Sequence, residues 1–306
     1  MRRALLLLCL ALAACGAGTA APNATAAAPS CDRRLPPSPR PGIAPVAVIR
    51  DIAAGPTEYL LGSPGSAVEV LKAANGFSPP HLVGNSVFFS IRQGTASYIY
   101  RGPVGGCARR IATGTLGEVE PQGRALSALV DNHWVMMDGN GRALTQLTGA
   151  AGSWTLDGRL VEPTVGGIDI FDRNGHKRSV AATSIAPLGP LGAHQELVST
   201  ATGVKLMDLD SGQLHPLNVP PQLVLRAPTG SPDGAHVAYL DQSGSGQVLD
   251  VQTGKSQALP APALATGFAW SRDSQWVAVQ TVYGGAALHL SDGQVMNSGS
   301  LVVVSW

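Results

Sequence analysis

From residue 46 onward the apolar positions fall into short runs of strand type, alternating or continuous, broken at close intervals by Gly, Pro, Asn and Asp. The sharpest copy opens on Ser231-Pro232-Asp233-Gly234, continues through runs at 236–240 and 247–251, and ends with Thr253-Gly254 and a run at 256–259. Runs this short, bounded in this way, read as antiparallel strands joined by tight turns. A second copy lies 40 residues on, counted from Asp233 to Asp273: Trp270-Ser271-Arg272-Asp273-Ser274, runs at 276–281 and 286–290, then Asp292-Gly293. Earlier copies are degenerate but in phase. Their paired runs lie at 195–200 and 204–209, 160–164 and 168–172, 125–130 and 134–138, 86–92 and 98–101, and 46–50 and 58–61.

The glycine that closes each copy recurs at Gly65, Gly105, Gly141, Gly175, Gly212, Gly254 and Gly293, at intervals of 40, 36, 34, 37, 42 and 39 residues. A period in that range marks a propeller or a solenoid. Asn-Gly and Asp-Gly at these points supply the positive φ that tight hairpins need. The pattern predicts an all-β fold over 46–306, a β-propeller of four-stranded blades, seven in number, with six the alternative count. Copies two to seven have room for an innermost strand ahead of the opening turn, as at 267–270, and copy one does not. The apolar run 301–306 has no hairpin partner of its own, so it is expected to supply that missing strand, close the ring and remove two open edges.

Composition agrees with this. There are 37 Gly and 23 Pro, charged residues make up only 13%, and aromatics 5% against 44% hydrophobic, so Val, Leu, Ile and Ala fill the core. Turn formers are abundant and the Glu and Lys of surface helices are scarce. Formal net charge is +1, and without Arg2 and Arg3 it is 19 basic against 20 acidic residues. No Lys/Arg run along the sequence makes the basic stripe that a phosphate backbone requires, so nucleic acid is not an expected partner.

The N-terminus changes the picture of where the chain works. Met1-Arg2-Arg3, the apolar run 4–11 and Leu12-Ala13-Ala14-Cys15 have the order of a secretory leader, too short to span a bilayer as a mature helix. Residues 12–15 match the bacterial lipobox, which implies cleavage after residue 14 and acylation of Cys15. Residues 16–45 are Ala, Pro, Thr and Ser with almost no large apolar side chain before Ile43. Such a stretch cannot offset its ordering entropy and reads as a tether, about 30 Å long by random-coil scaling. Asn23-Ala24-Thr25 fits a glycosylation sequon by chance. The expected divisions are 1–14 signal peptide, 15–45 lipidated Cys and tether, and 46–306 propeller. With Cys9 in the leader and Cys15 acylated, Cys31 and Cys107 are left. In an oxidising exterior they are a candidate disulfide across 76 residues, worth about 4 kcal/mol in the chain-entropy treatment; two free thiols are the alternative.

Ser231-Pro232-Asp233-Gly234 and Trp270-Ser271-Arg272-Asp273, with Leu156-Asp157-Gly158 a weaker echo, resemble the TolB-type, WD-like β-propeller repeat of Trp-Ser-Pro-Asp-Gly, strand, turn and aspartate-bearing strand. In phase the resemblance covers 46–306, but its specific motif occupies about a quarter of that. The lipobox adds a looser similarity to actinobacterial propeller lipoproteins. The family resemblance implies partners among cell-envelope proteins.

No local motif carries catalysis. His81, His133, His176, His194, His215, His236 and His289 are spread about one per copy without His-x-His or His-x-x-x-His spacing, so no metal site is expected. Asp208-Leu209-Asp210-Ser211-Gly212 looks like an acidic calcium loop but lacks Glu at the twelfth position, and with Asp157, Asp233 and Asp273 it reads as turn chemistry. Gly-x-Ser-x-Gly elbows and phosphate loops are missing, while a triad assembled in space is open to any sequence. Trp134, Trp154, Trp270, Trp276 and Trp306 lie on or beside expected strands, where they pack blades. The sequence therefore points to a monomeric, lipid-anchored extracytoplasmic propeller on the cell membrane. It is expected to act as a binding or scaffolding module for an envelope protein or small ligand, with no cofactor. A hydrolase or lyase working from acids in the central channel is the alternative.

Overall fold

The computed structural model describes residues 31–35, 47–51, 58–62, 69–72, 79–181, 185–219, 225–259, 265–297 and 301–305, all within one compact unit, Cys31–Trp306. The leader with Cys15, the sequon at Asn23, Gly65 and Trp306 lie outside the described residues.

Apart from β1 (Arg33–Arg34), the strands follow one another as seven meanders. The first holds β2 (Ala47–Asp51), β3 (Glu58–Gly62) and β4 (Glu69–Lys72); the second β5 (His81–Val83), β6 (Ser86–Gln93), β7 (Ala96–Pro103) and β8 (Cys107–Thr113). Next come β9 (Thr115–Val119), β10 (Ala125–Val130), β11 (His133–Asp138) and β12 (Ala143–Gln146), then β13 (Ser153–Trp154), β14 (Leu160–Thr164), β15 (Gly167–Phe171) and β16 (Lys177–Ala181). The fifth has β17 (Ala186–Leu191), β18 (Gln195–Thr200), β19 (Gly203–Asp208) and β20 (Leu214–Pro216); the sixth β21 (Arg226–Gly230), β22 (His236–Leu240), β23 (Gly246–Asp250) and β24 (Ser256–Ala258). The seventh has β25 (Ala265–Trp270), β26 (Trp276–Thr281), β27 (Gly285–His289) and β28 (Val295–Asn297), and β29 (Leu301–Ser305) follows.

These strands make seven sheets, six of four strands and one of five. Each sheet touches the next, and β29 of the first touches β25 and β26 of the seventh, so the ring is closed. β29 pairs antiparallel with β2 as the innermost strand of blade one, with Ile49 opposite Val303. Val303 is buried, and Gln280 Nε2 of blade seven donates to its carbonyl at 2.9 Å. The repeat in the sequence required this strand, because blade one starts at its second position.

In blades two to seven, residues that alternate along the second and third strands face the neighbouring blades, and the described core is a series of interblade layers. Val161, Ile168 and Ile170 of blade four meet Val198 and Met207 of blade five. Leu197 and Leu206 meet Val237, Tyr239 and Leu249 of blade six. Each buried Val, Leu or Ile is worth about 1.5–3 kcal/mol. The predicted tryptophans serve here: Trp154 and Trp270 are buried in these layers and Trp134 packs against one, while Trp276 is buried beside His289 of its own blade.

The tether reading of 15–45 needs one correction. Cys31 is bonded to Cys107, Cα to Cα 5.5 Å, and the residues after it form β1, which pairs with β8 as a fifth strand of blade two. Leu35 is buried in that blade's core. One apolar side chain and a covalent staple are enough to order a short segment whose composition alone does not pack.

Antiparallel alternation sorts the loops onto two faces. Corners between first and second strands share a face with the turns between third and fourth strands. Hairpins between second and third strands share the opposite face with the blade-to-blade connectors.

Candidate functional site

On the corner face the repeat's polar residues are bonded to one another. Ser231 Oγ donates to Asp233 Oδ1 and accepts from the His236 amide. Ser271, Asp273 and the Trp276 amide repeat this, as do Thr155, Asp157 and the Arg159 amide. In blade three buried Glu120 takes that place and accepts from the Gln122 and Arg124 amides. Neighbouring corners are joined: Gln122 Nε2 donates to Leu156 O at 3.1 Å, the Leu156 amide to Gly192 O at 3.4 Å, the Gly192 amide to Ser231 O at 3.1 Å, and the Asp233 amide to Ser274 Oγ at 2.9 Å. A belt of hydrogen bonds thus runs through five blades.

The turns beside the corners are equally committed. Asp208 accepts from the amides of Asp210 and Ser211, which hold its carboxyl below the usual range. The Thr253 amide does the same for Asp250 and the Gln294 amide for Asp292. Asp210 pairs with Arg159 at 2.7 Å and with His194 at 3.0 Å. Both acids of the calcium-like loop are therefore spent on protein donors. His176 pairs with Asp172, His289 with Asp292 while lying on Trp276, and His236 stacks on Trp270. Among the described residues, no three His, Cys, Asp or Glu side chains gather closely enough to hold a metal ion.

The connector face is built differently. Two clefts, of about 420 and 290 Å³, flank the connector from blade three to blade four. The first is walled by Asn132, His133, Trp134 and Gln146 and floored by Leu147–Gly149 of the connector. The second lies between Ala150–Ser153 on one side and Val161, Pro163 and Pro187–Gly189 on the other. Neither has a Lys, Arg, Asp or Glu in its wall. The hairpin beyond Pro163 lifts Val165 fully into solvent, and on the same face Val282 and Tyr283 of blade seven are exposed.

Behind each cleft sits a buried carboxyl. Glu162 Oε1 accepts from the amide of Gly149, which floors the first cleft. Glu196 Oε1 accepts from the amide of Gly189, which walls the second, at 2.9 Å. Both acids are wholly buried, and neither Oε2 meets a hydrogen-bond partner. Burial pushes the Glu196 carboxyl up to about 8, with the Gly189 bond opposing, so it is neutral at pH 7. Gly189 reaches it because β17 bulges at Leu188 between its pairs with β18; the bulge turns one amide out of the ladder.

Cross-strand register shows what these acids replace. Glu196 stands opposite Met207 as Leu160 stands opposite Phe171, Val237 opposite Leu249 and Val277 opposite Leu288. Glu162, two rungs further on, stands where other blades have Val198, Tyr239 and Val279. The two acids are thus departures from an apolar row, in adjacent blades. The sequence reading passed over them, and the signal that finds them is a Glu inside a run that the repeat keeps apolar.

The seven innermost strands contain only three ionisable residues, His81, Glu118 and Arg226. Small and apolar residues dominate the rest, as in Ala-Pro-Leu-Gly-Pro-Leu of β17 and Leu-Val-Val-Val-Ser of β29.

A closed ring of antiparallel meanders defines the chain as a β-propeller. Solved structures agree. The propeller domain of the Trilobed protease from Pyrococcus furiosus, described as having an open velcro topology, is similar with TM-score 0.57 at 11% identity, over 82% of this chain and 90% of that one. Oligogalacturonate lyase from Vibrio parahaemolyticus is similar with TM-score 0.56 at 10% identity, over 78% and 81%. TolB from Acinetobacter baumannii is similar with TM-score 0.49 at 14% identity, over 81% and 78%. No protein-family model matches the sequence, and no curated protein matches it significantly. The likeness to the first two, at identities this low, supports the propeller and says nothing about ligand or reaction.

Proposed function

We propose that this chain is a lipid-anchored, extracytoplasmic binding module of the cell envelope, which receives its partner on the connector face along the 147–153 segment. The observation that carries this is the character of the inner strands and clefts. Catalysis by acids in the channel needs convergent ionisable groups, whereas three such residues spread over seven strands leave a surface suited to contact. Glu162 and Glu196 lie behind the cleft walls, where they brace the connector and the bulge without touching anything bound. Clefts without Lys, Arg, Asp or Glu in their walls, beside the exposed Val165, favour a protein segment with apolar side chains over an ionic small molecule. The anchor rests on Leu12-Ala13-Ala14-Cys15, and it would place the propeller outside the cytoplasmic membrane.

Two experiments test this. A photo-crosslinking residue at Val165, followed by purification from membranes, is expected to capture one protein that the same probe at Asn140 on the corner face does not. Capture from Asn140 alone, or equal labelling from both, overturns the assignment of the face. The Cys15→Ser variant is expected to leave the membrane fraction, and its full retention overturns the anchor.

A further inference from the structure

Charge is nearly balanced over the whole chain, and the fold does not spread it evenly. Residues 79–113, all of blade two from its first strand, contain Arg92, Arg101, Arg109 and Arg110 and no Asp or Glu. β1 adds Arg33 and Arg34 to the same sheet, with Asp32 alongside. One blade therefore carries six arginines against one aspartate, a net +5, while the rest of the chain has 15 basic and 19 acidic residues. The sequence hides this concentration, because 73 positions separate Arg34 from Cys107, its partner in the ladder.

The geometry places these charges at the rim. Arg34, Arg109 and Arg110 are exposed on the two outermost strands, β1 and β8. Arg101 stands opposite Arg109 across the β7–β8 ladder. Neutral groups receive two of the side chains: the Arg110 guanidinium lies 4.9 Å over the Tyr98 ring, and Arg101 lies 5.0 Å over Phe88 and donates to Gly139 O. Rings and carbonyls orient a guanidinium without cancelling its charge. Like charges facing one another across strands destabilise a sheet, so an outside counter-charge would relieve them. The Cys31–Cys107 bond is in this same rim. It is the point at which the N-terminal segment joins the propeller, 16 positions after Cys15.

We infer that the arginine rim of blade two is a docking surface for the anionic headgroups of the membrane that holds the lipid anchor. The inference rests on the reading of Cys15 as the acylated residue. The charge complementarity is that of a polybasic patch beside a lipid chain, where acylation supplies attachment and arginines supply affinity for anionic lipid. The disulfide has a part in this: it holds β1, with Arg33 and Arg34 opposite Ala108 and Cys107, beside the strand that carries Arg109 and Arg110, and delivers the tether to the surface that meets the bilayer.

The test uses the full, non-acylated chain made in a cell-free system, so that the anchor takes no part. Partitioning onto vesicles of phosphatidylglycerol and phosphatidylcholine in equal amounts is compared with partitioning onto phosphatidylcholine alone. The wild-type chain is expected to bind the anionic vesicles and to be released at 0.5 M salt (about a 4 Å Debye length). The triple variant Arg34→Ser, Arg109→Ser and Arg110→Ser is expected to bind them about 100-fold more weakly, with a native circular-dichroism spectrum and unchanged neutral-vesicle binding. Equal binding of wild type to both vesicle types, or a variant equal to wild type on the anionic ones, overturns the proposal. So does binding of the wild type to heparin without binding to the anionic vesicles, which assigns the rim to a soluble polyanion. Failure of the anchor reading shows itself separately, as Cys15→Ser protein retained on cell membranes.

Discussion

The amide of Gly189 donates to Oε1 of Glu196 at 2.9 Å across a β-bulge, and the carboxyl it meets is buried where other blades hold Leu or Val. A position that the repeat fills with an apolar residue thus serves to shape the innermost strand beside a cleft. The residues that keep the repeat make the ring, and two that break it, Glu162 and Glu196, lie buried behind the clefts.

Burial raises the Glu196 carboxyl from 4.5 to about 8 in the folded chain. Between those values the folded protein holds a proton that the unfolded chain releases. The contribution is therefore complete below pH 4.5 and is lost as pH rises toward 8, by about 1.4 kcal/mol per pH unit. Urea midpoints are expected to fall from pH 5 to pH 8 in the wild type and to stay level in Glu196→Gln, which keeps the acceptor for Gly189. Parallel pH profiles for the two proteins would show that another group governs the slope.

Reduction of Cys31–Cys107 is expected to destabilise the chain by about 4 kcal/mol, the entropy of closing 76 residues, and to release β1 with Leu35. Calorimetry with and without reductant measures this. Hydrogen exchange should speed up at the Leu35 amide, now bonded to Gly106 O, and at the Arg110 amide, now bonded to Asp32. Unchanged exchange at both would mean that β1 is held without the staple.

Deletion of 301–306 removes β29, leaves β2 with an unpaired edge and strips Gln280 of its bond to Val303 O. Loss of solubility and a lower melting temperature are expected. A truncated chain that melts and sediments like the full one would refute closure by this strand.

Ser274 sits at φ +59 where blade six has Gly234, and its hydroxyl accepts the Asp233 amide at 2.9 Å. Ser274→Ala keeps the backbone cost and loses the bond, whereas Ser274→Gly loses the bond and gains a residue suited to that φ. Denaturant titration is expected to place the Ala variant about 1 kcal/mol below the Gly variant. The reverse order would show that the positive φ at this corner carries no backbone cost.

Local signals along the chain were sufficient for the propeller. Every described strand pair that begins at 125, 160, 195, 236 or 276 was legible from apolar runs and Gly turns, because side-chain alternation and positive φ are properties of a few consecutive residues. The need for β29 followed from counting strands. What only the tertiary structure decided depends on residues distant in sequence. Blade packing seals Glu162 and Glu196 behind two clefts, and the corners join into a belt that commits one face to structure. A disulfide draws Arg33 and Arg34 from the edge of a tether into a blade that already has four arginines and no acid. Periodicity records the turns that every blade shares, whereas burial and local concentrations of charge arise where residues distant in sequence meet, and no run of neighbouring residues encodes those meetings.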